Sequence, residues 1–143
     1  MKELIVAANI ENLHEVMDFV REDIAHHHCS PDLLYDIDLA VEEIFVNIAN
    51  YAYQPASGNV AVSIAVGKEA VIRFEDTGGP YNPLEHPDPD LKKPLTEREI
   101  GGLGVFLVKK IMDKIEYARI DGKNVLVVTK RLTEPPAQNC TDV

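Results

Sequence analysis

The chain has no tryptophan, two cysteines, and only four phenylalanines and five tyrosines. Cys29 and Cys140 stand far apart and in no pattern, which excludes a disulfide framework and favours a reducing, intracellular setting. Long apolar runs are missing too. No segment approaches the ~18 residues of a membrane span, and the opening Met1–Ala8 is short and carries Glu3, unlike a secretory leader. Basic residues are scarce: fourteen Lys and Arg against twenty-four Asp and Glu leave a net charge of −10. That balance argues against a general binder of nucleic acid or of anionic membranes. Together these absences predict a cytoplasmic, single-domain protein. At 143 residues it is long enough to bury a sizeable core without a disulfide or metal staple.

The charge that is present is uneven. Residues 1–50 hold eleven acids and two bases, whereas residues 101–131 hold seven bases and three acids. A basic end of this kind suits either a bound anion or a solvated face.

Periodicity supplies the elements. Residues 2–8 read as a short strand. Leu13, Val16, Met17, Val20 and Ile24 recur three or four apart and predict a helix over 10–28. Ser30-Pro31 supplies a helix cap and a first-turn proline, and a second helix follows to about Tyr53, with Leu34, Ile37, Val41, Ile44, Phe45 and Ile48 on one face. The period then becomes two, giving strands at 59–66 and 70–75 around Gly67-Lys68-Glu69. Residues 76–102 hold five prolines and little that is apolar, the composition of either a functional lid or a disordered segment. A third helix is expected at 103–112. A second hairpin, 115–120 with 125–131, turns at 121–124, and residues 133–143 form a flexible C-terminal tail after a domain over 1–132. Separated helices with hairpin-joined strands predict an α+β, two-layer sandwich: a mixed, mostly antiparallel sheet with helices on one face.

Three groups of residues carry chemistry. On the second helix Glu43, Asn47 and Asn50 lie opposite the apolar stripe, where polar residues are ordinarily just solvated. Glu43 and Asn47, one turn apart, also place a carboxylate beside an amide oxygen, a pairing suited to a hard cation and to general-base work. Asp76-Thr77-Gly78 at a strand end sets a carboxylate on the sheet, with backbone that a flat ligand can approach closely. Gly101-Gly102-Leu103-Gly104 leads into a helix, whose converging N–H groups and dipole suit phosphate oxygens. By contrast His26-His27-His28-Cys29 are adjacent at a helix end, so their side chains point apart and make no metal cluster.

Taken in order, Glu43-x-x-x-Asn47, Asp76-x-Gly78 and Gly102-x-Gly104 resemble the three nucleotide-binding boxes of the GHKL ATPases. That superfamily, with its Bergerat ATP-binding fold, includes gyrases and histidine kinases. The compact length is similar to its branch of anti-sigma-factor serine/threonine kinases. The resemblance covers about residues 1–131. It implies ATP and Mg²⁺ as cofactors, with Asn47 holding metal and phosphates and Glu43 activating the attacking hydroxyl. It further implies that Asp76 accepts from the adenine amine, that Gly78 lines the base, and that Gly102 and Gly104 hinge the lid and cradle phosphate. Thr129 on the last strand would back the adenine site through water. Tyr51, Pro80 and Ile100 depart from the pattern, standing where relatives often carry His, Gly and Arg; Lys92, Lys93 and Arg98 are other positive groups in the lid.

The function implied is an ATP-dependent protein serine/threonine kinase. It would phosphorylate a small STAS-domain anti-anti-sigma partner, and it would also hold a sigma factor. The alternative is a non-catalytic, nucleotide-responsive partner-switching module. A homodimer is left open, and no nucleic-acid or membrane partner is expected.

Overall fold

A computed structural model of the protein describes residues 1–27, 30–53, 57–85 and 102–132. Strand β1 (Lys2–Ala7) leads through a 3-10 turn (Ile10–Asn12) into helices α1 (Leu13–Ala25) and α2 (Pro31–Tyr51). The hairpin β2 (Asn59–Val66) and β3 (Glu69–Asp76) follows, then a 3-10 turn (Pro83–Glu85), α3 (Gly102–Ile111), and the hairpin β4 (Lys114–Ile120) and β5 (Lys123–Arg131). The strands form one five-stranded sheet in the order β1-β2-β3-β5-β4. Each of its ladders is antiparallel, so the sheet is not mixed as the sequence suggests. The three helices and the sheet give the expected α+β sandwich.

Alternation explains the layers. Val60, Val62 and Ile64 on β2, Ile72 and Phe74 on β3, and Val128 on β5 are buried against Val16, Val20 and Ile24 of α1 and Ile37, Val41 and Phe45 of α2. Each such side chain contributes roughly 1.5–3 kcal/mol by leaving water. Odd-numbered residues of β3 and β5 point the other way. There Glu75 joins Arg73 at 2.9 Å and Lys123 at 2.9 Å. The hydrogen bond from Lys123 is the main reason the Glu75 carboxyl lies below its ordinary range.

Two junctions fix the sheet against the end of α2. The Tyr53 hydroxyl accepts the Thr77 N–H at 2.8 Å, and Ala52 O accepts the Gly79 N–H at 3.2 Å. In the second hairpin Asp121 and Gly122 both take positive φ, 50° and 78°. This is the two-residue turn whose twist matches the strands it joins. Ile120 therefore pairs with Lys123, and β5 starts two residues earlier than the sequence pattern suggests.

Candidate functional site

At the end of the sheet where β3 finishes, Asp76 pairs across the ladder with Asn124. This rung lies in a cleft of about 550 Å³, counted to its open mouth. Phe74, Leu126 and Ile115 of the sheet, Ile44 and Ile48 of α2, and Val105 and Val108 of α3 give it apolar walls. Few polar groups interrupt them: Asp76, Asn124, Tyr117 and Tyr81, with Glu43 and Asn47 from α2.

Asp76 is 5% exposed. Its Oδ1 accepts the Gly78 N–H at 2.9 Å and Asn124 Nδ2–H at 3.0 Å. A buried carboxylate needs such partners, and two donors on one oxygen fix its orientation. Gly78 is buried beside it, and a Cβ there would lie 2.0 Å from Ala52 O, so only glycine lets the strand end pass the end of α2. Arg119 Nη1 donates to Gly78 O at 2.8 Å and holds this turn from β4.

Glu43 and Asn47 do not face open water as the helical wheel suggests. They line the cleft, because α3 and the residue 81–83 segment fold over that side of α2; Asn50 stays exposed. Burial, and then the neighbouring Glu42 charge, raise the Glu43 pKa above the usual carboxylate value. A carboxylate so shifted is a better proton acceptor in its ionised form. Asn47 Nδ2 donates to the Tyr81 hydroxyl at 3.4 Å. Its Oδ1 makes no hydrogen bond among the described residues, and a neutral amide oxygen is a hard donor that fits Mg²⁺.

Gly104 lies in the first turn of α3, where a Cβ would come 2.4 Å from Glu43 Oε2. Gly102 is the first residue of that helix, so both glycines belong to its first turn rather than to a preceding loop. The structure thus sets Glu43, Asn47 and Asp76 in one cleft, with Gly78 beside Asp76 and Gly104 against Glu43.

Thr129 is not part of this group. It pairs with Val71 and Lys114, five residues along β5 from Asn124, or about 17 Å at strand rise. Its odd position also turns it to the sheet face away from the helices. The last-strand residue beside Asp76 is Asn124, which a four-residue reading of the turn hid; Asp-Gly as a two-residue hairpin signal would have put it in the strand. Tyr81 and Tyr117 were missed as well. Tyr51 is half exposed, its ring 6.0 Å from that of Tyr81. The lid residues Lys92, Lys93, Arg98 and Ile100, with His28, Cys29 and the 133–143 tail, lie outside the described residues. Among the described residues no group of His, Cys, Asp and Glu could hold a metal ion by itself, and no helix is long and apolar enough to cross a membrane.

The sequence profile of the histidine kinase-like ATPase domain matches residues 6–130, from the end of β1 to the penultimate residue of β5. The chain belongs to that family. A histidine kinase-like ATPase domain is an ATP-binding domain, and the cleft sets the polar groups of Asp76, Glu43 and Asn47 among apolar walls. Among similar proteins, the serine/threonine-protein kinase BtrW of Bordetella bronchiseptica is 28% identical over 103 residues, covering 70% of this chain and 72% of its own. The serine-protein kinase RsbW of Halalkalibacterium halodurans is 32% identical over 116 residues, covering 78% and 70%. A crystal structure of RsbU and RsbW domains from Mycobacterium tuberculosis superposes with a TM-score of 0.62 at 17% identity, which shows the fold alone. It covers 94% of this chain, and the chain spans 34% of that longer protein.

Proposed function

We propose that this histidine kinase-like ATPase domain is a protein serine/threonine kinase that uses ATP and Mg²⁺. The observation that carries the reading is the pairing of a half-buried, pKa-raised Glu43 with the open amide oxygen of Asn47 in a cleft that also holds the buried carboxylate of Asp76. Asp76 Oδ2 accepts from the adenine amine and the apolar walls enclose the base, while Asn47 Oδ1 is the metal ligand. Mg²⁺, when bound, supplies charge neutralisation to the phosphates. The first turn of α3, with Gly102 and Gly104, faces the phosphates with its free N–H groups. Glu43 accepts the proton as a serine or threonine oxygen bonds to the γ-phosphorus and the bond to the ADP oxygen breaks.

Relatives named as serine-protein kinases support the class of acceptor. We assign the partner to a small STAS-domain antagonist, with a sigma factor as the alternately held protein, and the setting to the cytoplasm. Residues 1–132 act as one domain.

The test is incubation with γ-labelled ATP and the STAS proteins encoded in the same genome. Label on a serine or threonine of one of them is expected. A tight complex without label would replace the kinase by a nucleotide-responsive binding module.

A further inference from the structure

The amide of Asn47 has two unlike ends. Oδ1 accepts and can ligate a cation, whereas Nδ2 carries two N–H groups that a cation repels. The last torsion of an asparagine is soft and roughly two-fold, so either end can swing toward the cleft. An asparagine that serves a cation therefore gains from a group that holds its nitrogen end. Among the described residues that group is Tyr81, whose hydroxyl accepts from Nδ2 at 3.4 Å.

Tyr81 is itself tied down from the opposite wall of the cleft. Its backbone N–H donates to Asn124 Oδ1 on β5 at 3.2 Å. The next residues turn tightly, with Asn82 accepting the Leu84 N–H on Oδ1 at 2.9 Å and the Glu85 N–H on its carbonyl at 3.1 Å. On α2, Tyr51 lies one helical turn beyond Asn47, and its ring stands 6.0 Å from that of Tyr81. That spacing is within the range of paired aromatic rings. With its main chain on the sheet and its hydroxyl on α2, the half-buried Tyr81 reaches from one wall of the cleft to the other.

We propose that Tyr81 is the positioning residue of Asn47, holding the nitrogen end of the amide so that Oδ1 faces the metal. This rests on the reading of Asn47 as the metal ligand. Tyr81 acts through the amide and never on the cation. Unlike the two oxygens of a carboxylate, the two ends of an amide differ in kind, so fixing one end decides what the other offers. The contact is long as it stands. A cation on Oδ1 draws electron density through the amide, makes Nδ2–H a stronger donor and tightens the bond to Tyr81. Hydrogen-bond partners of metal ligands act in this way, and removing one typically costs about 10–100-fold in metal affinity.

The experiment separates metal from base by calorimetry with three probes: adenosine diphosphate with Mg²⁺, the same nucleotide with a chelator instead, and adenosine. Each is titrated into wild type, Tyr81→Phe, Asn47→Ala and the double variant, with circular dichroism melts to establish folding. Phenylalanine keeps the ring beside Tyr51 and the cleft wall, and removes only the hydroxyl. Mg²⁺ should strengthen binding of the diphosphate to wild type, and in Tyr81→Phe that gain should shrink about tenfold. Adenosine brings no phosphate to a metal and should bind wild type and Tyr81→Phe equally. Adding Tyr81→Phe to Asn47→Ala should cost nothing further, because residues that act through one group are not additive.

An undiminished Mg²⁺ gain in Tyr81→Phe overturns the inference. So does an equal loss for adenosine, which would make the hydroxyl a plain part of the wall, and so does a further loss in the double variant. Wild type whose diphosphate affinity ignores Mg²⁺ removes Asn47 from metal binding and this inference with it. A normal response to Mg²⁺ in both wild type and Tyr81→Phe removes Tyr81 alone.

Discussion

Gly104 and Glu43 meet across the α2–α3 interface so closely that a Cβ on the glycine would stand 2.4 Å from Oε2 of the carboxylate. The missing side chain is what lets the first turn of α3 close over Glu43, and this contact belongs to the burial that raises its pKa. The same glycine therefore serves both the phosphate end of the cleft and the environment of the proposed base.

Gly104→Ala should leave stability within about 1 kcal/mol of wild type, since the added methyl meets only the movable end of a side chain and alanine favours a helix. Phosphotransfer should nonetheless fall, on the order of a hundredfold, because a displacement of about 1 Å at the reacting groups has that effect. Gly78→Ala should do the opposite kind of damage. Its Cβ meets the backbone oxygen of Ala52 at 2.0 Å, so the end of α2 must move. A loss of about 1–3 kcal/mol or more in urea denaturation is expected. Equal stabilities for the two variants would contradict these packing assignments.

Glu43→Gln links the site to pH. The folded-state pKa of Glu43 is raised, so the folded protein holds its proton more tightly than the unfolded chain does. That favourable contribution is fully present below the ordinary value of 4.5 and is lost as pH rises through the folded pKa. The glutamine variant should therefore be more stable than wild type at neutral pH, with the difference vanishing in acid. Denaturation curves at several pH values measure this. Phosphotransfer by the same variant should drop about 10²–10⁴-fold, with little change in ATP affinity.

Asn47→Ala should fold normally, since its amide makes one long hydrogen bond, to Tyr81, among the described residues. Its affinity for ATP should become indifferent to Mg²⁺, with a loss of at least the about 10–100-fold that follows removal of even an outer partner of a metal. Calorimetry with and without Mg²⁺ decides it; wild-type affinity that ignores the metal would already remove Asn47 from the role.

Asp76→Asn should weaken ATP binding by about 1.5–3 kcal/mol, the worth of a hydrogen bond to a charged acceptor. The substitution also puts an N–H where Asn124 or Gly78 donates, or turns one toward the adenine amine. Binding within twofold of wild type would remove Asp76 from base recognition.

The sequence by itself determined the elements and their kind. The alternation over Asn59–Val66 became β2 with the same bounds, and Pro31 opened α2 because its fixed φ is a local property of the chain, whereas the Ser30 side chain at the N-cap makes no capping hydrogen bond. The order of motifs likewise carried the family, since Glu43, Asn47, Asp76 and the glycines are separated by distances that a resemblance can read without coordinates. What the tertiary structure alone decided was which face of each element meets another. A wheel drawn on α2 puts Glu43 opposite the apolar stripe, but only the packing of α3 and the Tyr81 segment turns that side into a cleft wall. Thr129 and Asn124 differ in the same way. Both are polar and nearly buried on β5, and no local property says which one stands beside Asp76. The two-residue turn at Asp121-Gly122 sets the register of β5 against β4, but the register of β5 against β3 comes only with the assembled sheet, and register, through a side-chain period of two, decides both the face and the neighbour.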